Sequence, residues 1–299
     1  MGITLREKVA VVTGSGRGIG RAIALLFAAE GARVVVNDLG ISTDGSGPSS
    51  ASPADEVEEE IKGGGGEAKA NYDSVATMSG GQKIIQAALD SFGKVDILVN
   101  NAGVFRMTPL QEMAEQEWDT MIQVHLKGHF TCIKAALPHM MRQKSGRIIN
   151  ISSGSALGPA GAGAVHYGTA KAGILGLTRS LAREIGKHGI TVNAVMPVAR
   201  TRMHDMVSQE AQAQMPAQLG LEQTPEDIAP IVAYLASDAA ANINGATFAA
   251  RVKGVFHLMS DPTPISGIFK EQRWTVDELM NIMPRTLAAG LVNPDPPGS

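Results

Sequence analysis

The chain has one cysteine, Cys132, in its 299 residues, so no internal disulfide can form. Its place in the apolar run HFTCIKAAL marks it as a small core side chain rather than a nucleophile. A charge excess is missing too. The formal charge of −3 leaves no basic footprint for nucleic acid, and no basic run suits an anionic membrane surface. Long hydrophobic runs are absent: apolar stretches are strand-sized or broken by glycine and charge, so no membrane span is expected. The segment from Met1 to Lys8 contains no apolar signal core and leads straight into a strand, so the expected localisation is cytoplasmic. No internal repeat is visible. What remains is an ordinary globular composition, 44% hydrophobic and 18% charged, on a chain long enough to bury a full core.

That core reads as an alternation of strands and helices. KVAVVTG (8–14) is a continuous apolar run, as expected of a strand buried on both faces. Helix is expected over 19–30, strand over 32–38, helix over 54–62, strand over 67–73 and helix over 80–92. Strands follow at 95–103, 146–152 and 191–197, separated by helices at 115–143, with a kink near Pro138, and at 167–186. This order implies parallel β-α-β units and a Rossmann-type doubly wound sheet, the α/β class. A Gly/Ser/Pro-rich loop, 40–53, exceeds the usual βα connection. After about Arg200 the alternation weakens. A helix is expected over 224–238, a strand-like run at ATFAARV, and a short helix over 274–283 capped by Thr275. We expect one domain over 1–250 and a C-terminal extension over 251–299 that packs on the domain or on a neighbouring subunit.

TGSGRGIG (13–20) joins the first strand to the first helix. Gly14, Gly18 and Gly20 supply the sharp turn, close backbone approach and close helix packing that a diphosphate site needs, with Ser15, Arg17 and Ile19 between them. Asp38, about 20 residues further on, suits the ribose hydroxyls and repels a 2′-phosphate, which favours NAD over NADP. Arg17 is the counter-signal, because a basic residue in this turn can meet that phosphate; it can equally be solvated, and Asp38 can be a strand cap. NNAG, with Asn101, Ala102 and Gly103, offers a small-residue turn along a cofactor, and Asp73 can reach an adenine. Both can also be plain turn chemistry.

Tyr167 and Lys171 are four residues apart on a helix and share a face. A phenol with a pKa of about 10 is a poor base near neutrality. A neighbouring ammonium, and an oxidised nicotinamide ring, favour the phenolate and lower that value, making Tyr167 a general base for alcohol oxidation and an acid for the reverse.

TGSGRGIG, NNAG, the strand end INISS and YGTAK together resemble the short-chain dehydrogenase/reductase family over roughly residues 1–245. The resemblance implies a Ser–Tyr–Lys site in which a serine hydroxyl holds the substrate oxygen and Lys171 also binds the nicotinamide ribose. Ser153, directly after the fifth strand, best matches that serine; it stands 14 residues before Tyr167, one more than usual, and Ser155 is its rival. The family often has asparagine where this chain has His125; the histidine can fill a similar polar role or be a core residue that bends the helix. The Pro-Gly after the sixth strand is Pro197-Val198 here, with Thr201 placed for the nicotinamide carboxamide. VVVNDLG, the long loop, VHLKG and EDIAPIVAYL are similar to the (3R)-hydroxyacyl-CoA dehydrogenase part of multifunctional enzyme type 2 and its single-domain bacterial relatives.

The resemblance implies an NAD-dependent enzyme acting on a small-molecule secondary alcohol, a 3-hydroxyacyl-CoA or hydroxysteroid, and a homotetramer or homodimer. The rival readings are a reductase of another alcohol or carbonyl, such as a terpene or polyol, and a non-catalytic dinucleotide-binding regulator. No metal site and no nucleic-acid or membrane partner is expected. Met203, Met206 and Met215 suit either an adaptable lid over the substrate or an ordinary amphipathic helix, and Arg200, Arg202 and Lys253 are candidates for the phosphates of CoA.

Overall fold

The computed structural model describes residues 2, 4–158, 163–198, 224–251, 255–260, 262, 266–271 and 273–290. It divides into two compact units, residues 1–259 and 260–299.

In the first unit, eight strands form one sheet in the order β3-β2-β1-β4-β5-β6-β7-β8. They are β1 (Val9–Thr13), β2 (Arg33–Asn37), β3 (Glu67–Asn71), β4 (Ile97–Asn100), β5 (Gly146–Ile151), β6 (Ile190–Pro197), β7 (Thr247–Arg251) and β8 (Val255–Met259). Neighbours from β3 through β7 are parallel. Among the described residues only β8 runs antiparallel, pairing with β7. The helices are α1 (Gly18–Ala29), α2 (Ser52–Gly63), α3 (Met78–Phe92), α4 (Glu115–Met121), α5 (Gly128–Gln143), α6 (Val165–Ile185) and α7 (Ala229–Ala236).

Strand side chains alternate between two apolar cores, which is why the parallel strands read as unbroken hydrophobic runs. Ala10, Val12, Val34, Val36, Ile97, Val99 and Ile149 pack with α1, α2 and α7. Val9, Val11, Val35, Leu98, Ile148 and Val192 pack on the other face with α3, α5 and α6. The doubly wound α/β reading therefore holds. Cys132 lies in the second core, fully buried, with burial pushing its thiol up to about 12, which keeps it protonated and unreactive.

Two details differ from the sequence expectation. The irregularity of the 115–143 helix lies well before Pro138, in a widened π-helical turn over Ile122–Lys127, while Pro138 stays within α5. Strand β8, inside the Pro/Gly-broken region, was not foreseen.

The second unit contains α8 (Val276–Ile282), capped as expected by Thr275, whose hydroxyl accepts from Glu278 N while the Glu278 carboxylate accepts from Thr275 N. Lys270 pairs with Glu278 at 2.6 Å and lies over the Trp274 ring.

From β1 the chain winds outward through β2 to β3, then crosses back to place β4 on the other side of β1. A crevice opens where the order reverses, at the carboxyl ends of β1 and β4, and such a switch point is where open α/β sheets bind ligands.

Candidate active site

A cleft of about 220 Å³ occupies that position, lined among others by Gly14, Arg17, Asp38, Asp73, Asn101, His125, Tyr167, Lys171 and Pro197. Residues separated by more than 150 positions in sequence thus share one wall.

The turn after β1 is fixed by crowding. Gly14 and Gly18 have positive φ, and a Cβ on Gly14 would lie 2.7 Å from Ala102 Cα. A Cβ on Gly20 would run into the carbonyl oxygen of Gly14. Arg17 is the N-cap of α1 but makes no side-chain cap, so the first N–H groups of the helix carry no side-chain acceptor, and Gly18 and Ile19 line the cleft. Such an uncapped, glycine-cleared helix start fits a dinucleotide's diphosphate. Ser15 is turned inward: its hydroxyl donates to Val12 O at 2.7 Å, and it does not line the cleft.

The carboxylate of Asp38 accepts from Gly16 N at 2.9 Å and from Gly40 N at 2.8 Å, which aims it at the glycine-rich turn from the end of β2. Asp73 sits beside it in a polar net, with its carboxylate accepting from Asn71 Nδ2 and its carbonyl from Asn37 Nδ2. Asn101 donates through Nδ2 to the carbonyls of Thr13 and Gly14, and the Thr13 hydroxyl accepts from the N–H groups of Asn101 and Ala102. NNAG is therefore clamped against the first turn. Thr13, Asn37 and Asn71 were not singled out from the sequence, although a small polar residue at each strand end was the available signal.

At the other end of the cleft, Lys171 is buried and its ammonium donates to Ile151 O at 2.8 Å. Burial holds it down to about 7. It lies 5.6 Å from the centre of the Tyr167 ring. The Ser153 hydroxyl acts to lower the pKa of Tyr167, but burial outweighs this and the phenol sits above its ordinary value. The expected lowering by Lys171 is therefore not the dominant influence here, because desolvation acts on both groups and weakens the ammonium itself. Ser153 caps the short turn Gly154–Leu157 by accepting from Ser155 N at 3.2 Å. That turn absorbs residues between β5 and α6 and sets the Ser153 hydroxyl 3.3 Å from that of Ser155, with Ser153 the one that bears on the Tyr167 pKa. The buried neighbour Ser152 bonds Lys171 O and so braces α6 against β5.

His125, on the π-helical turn, is buried with its ring edge-on to Tyr167 at 5.2 Å. Its Nε2 lies 2.7 Å from Val104 O and 3.2 Å from Val104 N, so the backbone of Val104 offers this nitrogen both an acceptor and a donor, and Nδ1 has no partner among the described residues. Burial, then Lys171, holds its pKa well below the usual imidazole range, so the ring is neutral. Gly103 makes room for it: a Cβ there would lie 2.5 Å from His125 Cε1. Phe105 also packs edge-on against Tyr167, at 5.0 Å. Thr201, Met203, Met206, Met215, Arg200, Arg202 and Lys253 lie outside the described residues. Among the described residues no cluster of His, Cys, Asp or Glu is suited to a metal ion, and no helix is long and apolar enough to cross a membrane.

A family model described as short chain dehydrogenase matches residues 8–212. A short-chain type dehydrogenase/reductase of Mycobacterium tuberculosis is 45% identical over 238 residues, covering 80% of each chain. Peroxisomal multifunctional enzyme type 2 of Drosophila melanogaster is 46% identical over 76% of this chain, which spans only 36% of that longer protein. The 3-oxoacyl-[acyl-carrier-protein] reductase of Staphylococcus aureus is 46% identical over 80% of this chain and 95% of its own. The crystal structure of a short chain dehydrogenase from Mycobacterium avium superposes with a TM-score of 0.81 at 38% identity, covering 95% of this chain and 96% of that one.

Proposed function

The chain belongs to the short-chain dehydrogenase family, an oxidoreductase acting on CH–OH donors with a nicotinamide dinucleotide, and from that premise we propose that it interconverts a secondary alcohol and a ketone with NAD. The observation that carries this reading is one cleft lined by Tyr167 and Lys171 at one end, with Ser153 acting on the Tyr167 phenol from beside it, and by the uncapped α1 start with Asp38 at the other. The dinucleotide, when bound, supplies the hydride acceptor. The rest is done by the chain. Ser153 holds the substrate oxygen beside the Tyr167 oxygen. Tyr167, once its own proton has left and it stands as the phenolate, takes the alcohol proton, and in the reverse direction its phenol gives that proton to the carbonyl oxygen. Lys171, anchored on Ile151 O, gives the phenolate form of Tyr167 a positive neighbour. His125 and Phe105 both meet the Tyr167 ring edge-on and hold its orientation.

NAD is favoured over NADP because the Asp38 carboxylate stands where a 2′-phosphate would meet it. The substrate proposed is a 3-hydroxyacyl-CoA or a hydroxysteroid, as the sequence resemblance implies, and the 3-oxoacyl name of the reductase relative supports the acyl class. The reductase name of the Staphylococcus aureus protein favours a second reading, in which the same site works toward the alcohol. We further propose a homotetramer or homodimer, as the family resemblance implies, and a cytoplasmic location.

The test is a panel of 3-hydroxyacyl-CoA thioesters, hydroxysteroids, terpene alcohols and polyols, each with NAD and NADP. Turnover of a thioester or steroid with NAD is expected. Turnover confined to the other alcohols would overturn the substrate assignment, and preference for NADP would overturn the cofactor assignment.

A further inference from the structure

The Gly/Ser-rich segment 39–51 is not a slack connection. Its base is closed by Gly40, at φ 71°, whose N–H bonds Asp38 and whose missing Cβ leaves room for the Ser50 backbone, while Ser50 N donates to Leu39 O. Its tip is a tight turn: Gly45 N donates to Ser42 O and Ser42 N to Ser46 O, with Asp44 bonding both the N–H and the hydroxyl of Ser46. Between base and tip, Leu39, Ile41, Ser42 and Thr43 line the cleft. Closed ends and an inward-facing wall are the marks of a compact Ω-type loop with a task.

The tip crosses to the far bank. Thr43 O accepts from Phe105 N at 2.8 Å, Gly45 (φ 84°) sits against Val104 and Thr120, and Asp44 lies 3.6 Å from Arg106. Arg106 is itself held by Glu117 of α4 at 2.9 Å. The same short stretch, 104–106, carries Phe105 against the Tyr167 ring. A segment that starts at Asp38 thus ends, two contacts later, at the reactive tyrosine.

We propose that 39–51 is a strap across the dinucleotide cleft, latched by Arg106, and that Arg106 is a positioning residue whose hold on Asp44 limits cofactor release. The inference rests on the reading of the cleft as a dinucleotide site. The latch is a half-exposed ion pair, so it is weak enough to open on every turnover and is screened by salt.

The experiment is stopped-flow displacement of NADH from the full chain, followed by its fluorescence, in wild type, Arg106→Ala, Asp44→Asn and the double variant. Each single variant is expected to release NADH about two- to fivefold faster, with the double variant no faster than either. Salt should speed wild type toward the variants and leave them unchanged. Arg106→Lys should restore most of the wild-type rate. Gly45→Val, which unseats the tip without touching a charge, should also release faster. Equal release rates in wild type, Asp44→Asn and Gly45→Val would overturn the strap, as would additive effects of the two charge variants. If wild type binds neither NADH nor NADPH, the cofactor reading itself fails, and that outcome is distinct from binding with unchanged release.

Discussion

At Tyr167 and Lys171 one physical cause, burial, acts on two groups in opposite directions, raising the phenol and lowering the ammonium to about 7. The phenol therefore holds its proton firmly near neutrality while the Lys171 ammonium holds its own loosely, so before a cofactor enters the acid form of Tyr167 is favoured over the base. Tyr167→Phe keeps the ring contacts with Phe105 and His125 but removes the proton carrier. Turnover is expected to fall by about 10²- to 10⁴-fold while NADH binding, followed by fluorescence, stays near wild type. Ser153→Ala should cost activity clearly more than Ser155→Ala in the same assay, because the Ser153 hydroxyl is the one that bears on the Tyr167 pKa. The Tyr-x-x-x-Lys spacing was legible because one helix carries both residues. The direction of the phenol's shift was not, because desolvation depends on atoms supplied by other elements. His125 was legible only as an oddity; its neutral state follows from enclosure that no local pattern reports.

Among the elements, those with a strict period were readable from the sequence and those without one were not. β1, β2, β4 and β5 are apolar runs buried on both faces, and each lies within a few residues of its expected bounds. The strap was visible only as a composition, since glycine and serine carry no periodicity and its partners lie some 60 residues further along the chain. Strand β8 escaped for a similar reason: its hydrophobicity earns a strand only through pairing with β7. The glycine turn before α1 makes a sharp demand at element scale. In Gly20→Ala the new methyl would meet the Gly14 carbonyl, so α1 must shift away from β1. A loss of about 1–3 kcal/mol is expected, measured as a lower urea midpoint with unchanged slope. Cofactor binding should weaken in parallel, because the same shift moves the helix start.

For the whole molecule, the two cores fix the sheet and the sheet fixes the switch point, so residues as distant as Gly14 and Lys171 meet without either being near the other in sequence. The buried imidazoles make this assembly sensitive to mild acid. His125 is held well below its ordinary value, and His129, buried and bonded to His125 O, is held down to about 3, in each case chiefly by burial and then by Lys171. Their unfolded forms take up protons below about pH 6.5 that the folded forms refuse, so stability falls as pH drops through that value. The slope approaches about 1.4 kcal/mol per pH unit for each histidine. Urea midpoints measured from pH 7.5 to 5.0 should show the decline beginning above the carboxylate range, and His129→Gln should flatten it. A flat profile in wild type over that interval would contradict the neutral, buried state.

The contact between Gly103 and His125 carries a consequence for the order in which this chain can change. With the histidine ring in place, a methyl at position 103 has nowhere to go; with the smaller asparagine that the family often has at 125, it has space. Gly103→Ala alone should therefore be strongly destabilising, and much less so on a His125→Asn background, a coupling that thermal melts of the two single variants and the double would read directly. The chain could leave its present state by changing 125 before 103, but not by the reverse, so a single van der Waals contact at the reactive tyrosine sets a direction on its mutational history.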